Sequence, residues 1–366
     1  MNEALGEQPH ELHYKEILKP LFTNLHQVSG FEYASTLVRV GGMADAGWDA
    51  VEESSEFLED LSALTQPEAQ LGKVRDPEKT KWRLRLVSYA HLIEMDAPYE
   101  LLANLLRVRL GARYSSVPFQ AIGRDGSKKG KEKKKSKPKL LGLEIPPNPS
   151  QKIGLIKELS QAAGVPQVGL AFDEFYYPPL RNAIDHSDYV LRQNELRLLK
   201  GFIPDSLGSR AFTPVIPLNR LKDIFARAIV FYRALFEFTH KARAGFGDFK
   251  GECVRGEFFP GQRELKGLLE FLIDGSELLC GWKIHWPNQL DSIYQRTIDG
   301  CEATNMFNAT DGTVEFFPGE CFAEHVAFSP LVPLGGVPQY TLADGGRQPA
   351  VWDDAPNCIV VRSTIS

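Results

Sequence analysis

The stretch between Pro217 and Gly245 restricts the fold more than any other part of the chain. Leu221, Ile224, Phe225, Ala228, Phe231, Tyr232, Leu235 and Phe238 recur there at helical spacing. That period predicts one helix from Leu218 to about Ala244 with a broad apolar stripe, ended by Gly245. A stripe of that length needs other apolar faces to cover it, and the preceding sequence offers them. A short helix is expected around 14–24. A helical pattern over 31–64 is interrupted near Gly41 and Gly42. Residues 66–79 read as a polar loop with two prolines. The strongest pattern, over 80–110, carries Trp82, Leu86, Tyr89, Ile93, Leu101, Leu105 and Val108, and Asp96-Ala97-Pro98 permits a break inside it. Asn148-Pro149-Ser150 opens a further helix to about 163, closed by Gly164. Tyr189–Arg192 and Leu196–Leu199, separated by Gln193-Asn194-Glu195, read as a small β-hairpin. Beyond 251 the composition shifts to Gly, Pro, aromatic and β-branched residues. A helix over 262–273 is expected there, followed by short strands and long turns.

With 366 residues, 43% of them hydrophobic, the chain has ample material for a core, and its length suggests two domains. The formal net charge of −5 excludes a wholly basic nucleic-acid clamp. That average hides one run: residues 127–139 hold eight lysines and one glutamate, a net +7, which leaves −12 on the remainder. The run has no apolar residue to bury, so a mobile loop over about 121–147 is expected. Five cysteines, none in a C-x-x-C pair, argue against a complete disulfide framework and fit free thiols. The first residues carry no apolar signal core, and no stretch approaches the roughly 18 apolar residues of a membrane span. A cytoplasmic protein without a membrane is the expectation.

Arg181-Asn182-Ala183-Ile184-Asp185-His186 brings a guanidinium, a carboxamide and an imidazole together just after Pro178 and Pro179, which suit a helix start. Asn182 and His186, four apart, share a helix face. The chemistry is coherent for RNA, which carries its own nucleophile in the 2′-OH. A catalyst then needs proton transfer, which an imidazole supplies, and a cation that grips the phosphate, which a guanidinium supplies.

The segment Leu180–Tyr189 resembles the signature of HEPN domains. In that family an Arg, usually followed by a polar residue such as Asn, lies four to six residues before a His. The resemblance spans about 31–245 and implies a mainly α-helical bundle with a small β-hairpin, here followed by a smaller α+β domain over 246–366 and preceded by an N-terminal segment, 1–30. It also implies a homodimer and metal-independent endoribonuclease activity, in antiphage defence or a toxin-like role, with no cofactor. Arg181 would clamp phosphate, Asn182 support it and His186 transfer the proton. Two copies would supply one base and one acid. RNA, a second copy and a regulatory partner protein are the implied partners. In some toxin members a Tyr two residues after the His is modified. Here Asp188 holds that position and Tyr189 follows, so that regulation is not carried over.

Competing readings have weaker signals. The motif helix can be a plain amphipathic one, with Arg181 paired to Asp185 at i,i+4 and His186 as a capping residue. A non-catalytic helical scaffold, whose C-terminal domain binds a ligand, is the rival function. Lys133, Lys134 and Lys135, with Tyr189, are secondary candidates for contact with RNA, although no aromatic residue is interleaved in the lysine run for base stacking. Gly126–Lys131 lacks the spacing of a phosphate loop, and Gly245-Phe246-Gly247 follows no strand. His91 and Glu94, three apart, fit a solvated polar pair. Cys301, Cys321 and His325 match no compact zinc template.

Overall fold

The computed structural model describes residues 8–39, 50–64, 74, 76–119, 147–201, 203–204, 212–213, 215–249, 254–258, 267–273, 278–285 and the strands 290–297, 300–308, 313–318, 339–341, 347–349 and 359–362. Helix is the main secondary structure among them. The chain divides into two compact units, one of residues 1–28 and 51–239, the other of 29–50 and 240–366. The sequence placed boundaries after 30 and 245 instead. The division differs in joining 1–28 to the helical unit and in grouping 29–50 and 240–245 with the C-terminal unit.

The first unit holds α1 (Gln8–Leu18), α3 (Ala50–Leu64), α4 (Pro77–Glu94), α5 (Asp96–Arg109), α6 (Pro149–Ala162), α7 (Pro166–Leu170), α8 (Pro178–Asp185) and most of α9 (Leu218–Ala244). Helix α4 starts three residues before the expected Thr80. Asp76 caps it, its carboxylate accepting from the Lys79 N–H at 3.0 Å, and Pro77 occupies the first turn, where no N–H is needed. The break before α5 falls at Met95, whose ψ of 121° is not helical. Pro98 dictates it, because a proline ring clashes with the carbonyl four residues back, here that of Glu94. Asn148 and Gln151 cap α6 reciprocally, and Gly164, at φ +72°, follows its end.

Helix α9 runs from Leu218 to Ala244, the range its apolar period predicts. Phe231 is the hub of the core. Its ring lies 5.1 Å from Phe172, 5.3 Å from Phe175, 5.4 Å from Tyr232 and 5.5 Å from Tyr14, mostly in edge-on contacts. Tyr89 is fully buried beside them. Its hydroxyl donates to the Phe175 carbonyl at 2.8 Å and accepts the Tyr177 N–H at 3.3 Å, which fixes the turn leading into α8. Strands β1 (Tyr189–Leu191), β2 (Glu195–Leu198) and β5 (Val215–Pro217) form an antiparallel sheet in the order β1-β2-β5, so the expected hairpin is present and gains a third strand. A two-stranded pair, β3 (Ile203–Pro204) with β4 (Phe212–Thr213), lies in the connection read as a loop.

In the second unit, Ser29 is an extended residue at φ −161° that interrupts α2 (Leu25–Val38). Its hydroxyl accepts from the Glu32 N–H at 3.3 Å, so it caps a fresh helix over 30–38. Among the described residues nine antiparallel strands follow: β6 (Arg255–Phe258), β7 (Gly267–Ile273), β8 (Leu279–His285), β9 (Leu290–Thr297), β10 (Gly300–Asn308), β11 (Thr313–Pro318), β12 (Gln339–Thr341), β13 (Arg347–Pro349) and β14 (Ile359–Arg362). Their order is β13-β12-β14-β11-β10-β9-β8-β7-β6, a meander through β11. Residues 267–273 are therefore strand, which corrects the helix expected over 262–273. The run Leu268-Leu269-Glu270-Phe271 satisfies both periods, and burial selects the two-residue one: Leu269 and Phe271 are buried while Leu268 is exposed. Opposite Leu269, Gly256 lets the Phe31 ring approach to where a Cβ would sit only 2.6 Å away.

Candidate functional site

Helix α8 is eight residues long and begins on the two prolines. Leu180, Ala183 and Ile184 are buried, and α8 packs on α4. Arg181, Asn182 and Asp185 occupy the other side. The helix ends one residue before His186, which is the C-cap, so the imidazole is exposed just beyond the helix rather than within it. The ending is a Schellman motif. The Asp188 N–H donates to the Ala183 carbonyl at 2.8 Å and the Ser187 N–H to the Ile184 carbonyl at 3.1 Å. That motif needs a left-handed residue, and Ser187 takes it at φ +55°. Asp188 then anchors the hairpin, its carbonyl accepting the Leu199 N–H and its carboxylate the Lys200 ammonium, both at 2.8 Å.

Arg181 is the most constrained polar group of the motif. Its Nη1 donates to the Asn182 Oδ1 at 2.9 Å, and its Nε lies 2.9 Å from the Asp185 Oδ2. Nε and Nη2 both reach one oxygen of Glu94, the last residue of α4. Two carboxylates thus meet one guanidinium. Tyr176 borders the cluster, its hydroxyl 2.6 Å from the Ser150 Oγ. Burial pushes that phenol above its usual range, with the Ser150 hydrogen bond and the Arg181 charge opposing.

The structure therefore brings Arg181 and Asn182 into direct contact, and places His186 one turn beyond Asn182, whose carbonyl accepts the His186 N–H at 3.0 Å. The His186 ring has no hydrogen bond or ion pair within the described residues. Tyr189 is half-buried in β1, paired with Leu198. Lys133, Lys134 and Lys135 lie outside the described residues, as do Cys321 and His325. Of the pair His91 and Glu94, only Glu94 joins the cluster, while His91 packs on Phe57 at 4.2 Å between ring centres. No group of three or more His, Cys, Asp or Glu side chains suited to a metal occurs among the described residues. None of the described helices is long and apolar enough to cross a membrane.

A second polar cluster shows in sequence spacing only through Arg220, Asp223 and Arg227, which pair at i,i+3 and i,i+4 on one helix. It joins α1, the turn at 171–177 and α9. Glu174 accepts from the His13 Nε2 at 2.9 Å, the Tyr14 hydroxyl at 3.0 Å and the Arg227 Nη1 at 2.6 Å. Asp223 accepts from Arg227 at 3.0 Å and Arg220 at 3.1 Å, and its other oxygen lies 3.2 Å from the His10 ring. Each guanidinium meets an acid, which fits a clasp that seats α1. Comparison of the chain with family models, with curated proteins and with solved structures returns no match.

Proposed function

We propose that the chain is an endoribonuclease of HEPN type, acting as a homodimer through Arg181, Asn182 and His186. The observation that carries this reading is the exposed imidazole of His186, unbonded among the described residues, one helical turn beyond Asn182, which itself holds the Arg181 guanidinium together with Glu94 and Asp185. An imidazole free of hydrogen bonds can accept or release a proton, and a held guanidinium can meet a phosphate without first being ordered. In the reaction one imidazole takes the 2′-OH proton as that oxygen attacks phosphorus. The P–O5′ bond breaks, and a second imidazole protonates the departing oxygen. Products are a 2′,3′-cyclic phosphate and a 5′-OH. Because RNA provides its own nucleophile, the scheme needs no metal. A single copy holds one motif histidine, so the second role falls to another copy of the chain. Antiphage defence or a toxin-like role and a regulatory partner protein accompany this reading by analogy with the family, and a cytoplasmic setting is part of the same proposal.

One observation favours the rival reading, a non-catalytic scaffold whose C-terminal unit binds the ligand. Arg181 sits between Glu94 and Asp185, as an ordinary tie between two helices would. RNA incubated with wild-type and His186→Ala protein separates the two. Cleavage by the wild type alone supports the nuclease, whereas equal cleavage by both, or none by either across several RNA classes, supports the scaffold.

A further inference from the structure

Glu94 lies outside the Arg–His motif, yet it makes the closest contact to the motif's cation. A guanidinium carries five N–H donors in a rigid plane and can grip an oxyanion along its Nε side or across its two terminal nitrogens. In Arg181 the Nε side is taken. Glu94 reaches Nε and Nη2 together, and Asp185 also lies against Nε. Asn182 takes one N–H of Nη1. One N–H on each terminal nitrogen has no partner among the described residues. We infer that Glu94 is a positioning residue which occupies the Nε side of Arg181, so that an RNA phosphate is received across Nη1 and Nη2. This rests on the ribonuclease reading above.

The local structure supports a fixed role for the carboxylate. Pro98 forces α4 to stop at Glu94, and Tyr89, on the same helix, ties α4 to the turn that precedes α8. The carboxylate and the guanidinium are therefore delivered by two elements that are themselves held in register. Charge alone gives the opposite expectation. With Glu94 and Asp185 both ionised, the cluster is net negative and repels RNA, so removing a carboxylate would tighten binding. Positioning and repulsion thus leave different signatures in kcat and KM.

The experiment measures cleavage of a short fluorescent RNA by wild-type, Glu94→Gln and Glu94→Asp proteins, each first shown to be folded by circular dichroism, with His186→Ala as reference. Glu94→Gln is expected to lower kcat about 10- to 100-fold, as a displaced reactive group does, without raising KM. Glu94→Asp keeps the charge but withdraws the oxygen by one methylene, and is expected to lose kcat as well. Unchanged or raised kcat in either folded variant overturns the positioning role while leaving the nuclease reading intact. A wild-type protein no more active than His186→Ala overturns both.

Discussion

The guanidinium of Arg181 is held by the carboxylate of Glu94, although 87 positions separate the two in the sequence. This contact makes the motif part of the packing between α4 and α8, so its residues influence stability as well as chemistry. Glu94 is about two-fifths exposed and Arg181 about one-fifth. Replacing Arg181 with Gln leaves Glu94 and Asp185 side by side without a cation, and is expected to cost about 1 kcal/mol by urea denaturation at pH 7. Arg181→Lys restores the charge but cannot span Glu94 and Asn182 together, so it should recover stability better than cleavage.

Ser187 is strained by design of the Schellman turn. A non-glycine residue at φ +55° carries a penalty of about 1 kcal/mol that glycine does not, partly offset by the greater freedom of glycine in the unfolded chain. Ser187→Gly is therefore expected to raise the unfolding free energy, read from urea denaturation, by about 0.3–1 kcal/mol and to leave the cleavage rate unchanged. Ser187→Val, β-branched at the same φ, should lower stability.

Tyr89 supplies a buried hydroxyl that bonds on both sides. Tyr89→Phe leaves the Phe175 carbonyl and the Tyr177 N–H without that partner, at an expected cost of about 1–3 kcal/mol. Hydrogen exchange should show the loss first at the turn before α8.

Acid should loosen the clasp of α1. Burial alone would raise the Glu174 carboxyl, but hydrogen bonds from His13 and Tyr14 and the nearby cations outweigh it and hold it below its ordinary value. A carboxyl lowered in the folded state adds stability above its unfolded pKa. That contribution disappears as pH falls through the folded value. The stability difference between wild type and Glu174→Gln should be present at neutral pH and shrink below the ordinary carboxylate range. Denaturant midpoints from pH 7 to pH 3 measure it.

Much of the helical unit was legible because local chemistry agreed with its packing. The apolar period of 218–244, the Asn148-Pro149 cap and the break ahead of Pro98 each have a short-range cause that the structure retains. The strand at 267–273 was not legible, since Leu268, Leu269, Phe271 and Leu272 suit a helix face as well as an alternating strand until their burial is known. Arg181, Asn182 and Asp185 could be grouped from spacing alone. Glu94 could not, nor could the meeting of His10, His13, Glu174 and Asp223, because those contacts exist only after distant helices pack. His186 was expected on a helix face, but the short run from Pro178 ends at Asp185 and leaves it at the cap.

The most direct measurement of the central claim is RNA cleavage by full-length wild-type and His186→Ala proteins in excess chelator, with the product ends identified. The account predicts cleavage by the wild type, products ending in 2′,3′-cyclic phosphate and 5′-OH, and loss of cleavage in the variant. Equal cleavage by both proteins, or none by the wild type on any RNA class, would contradict it.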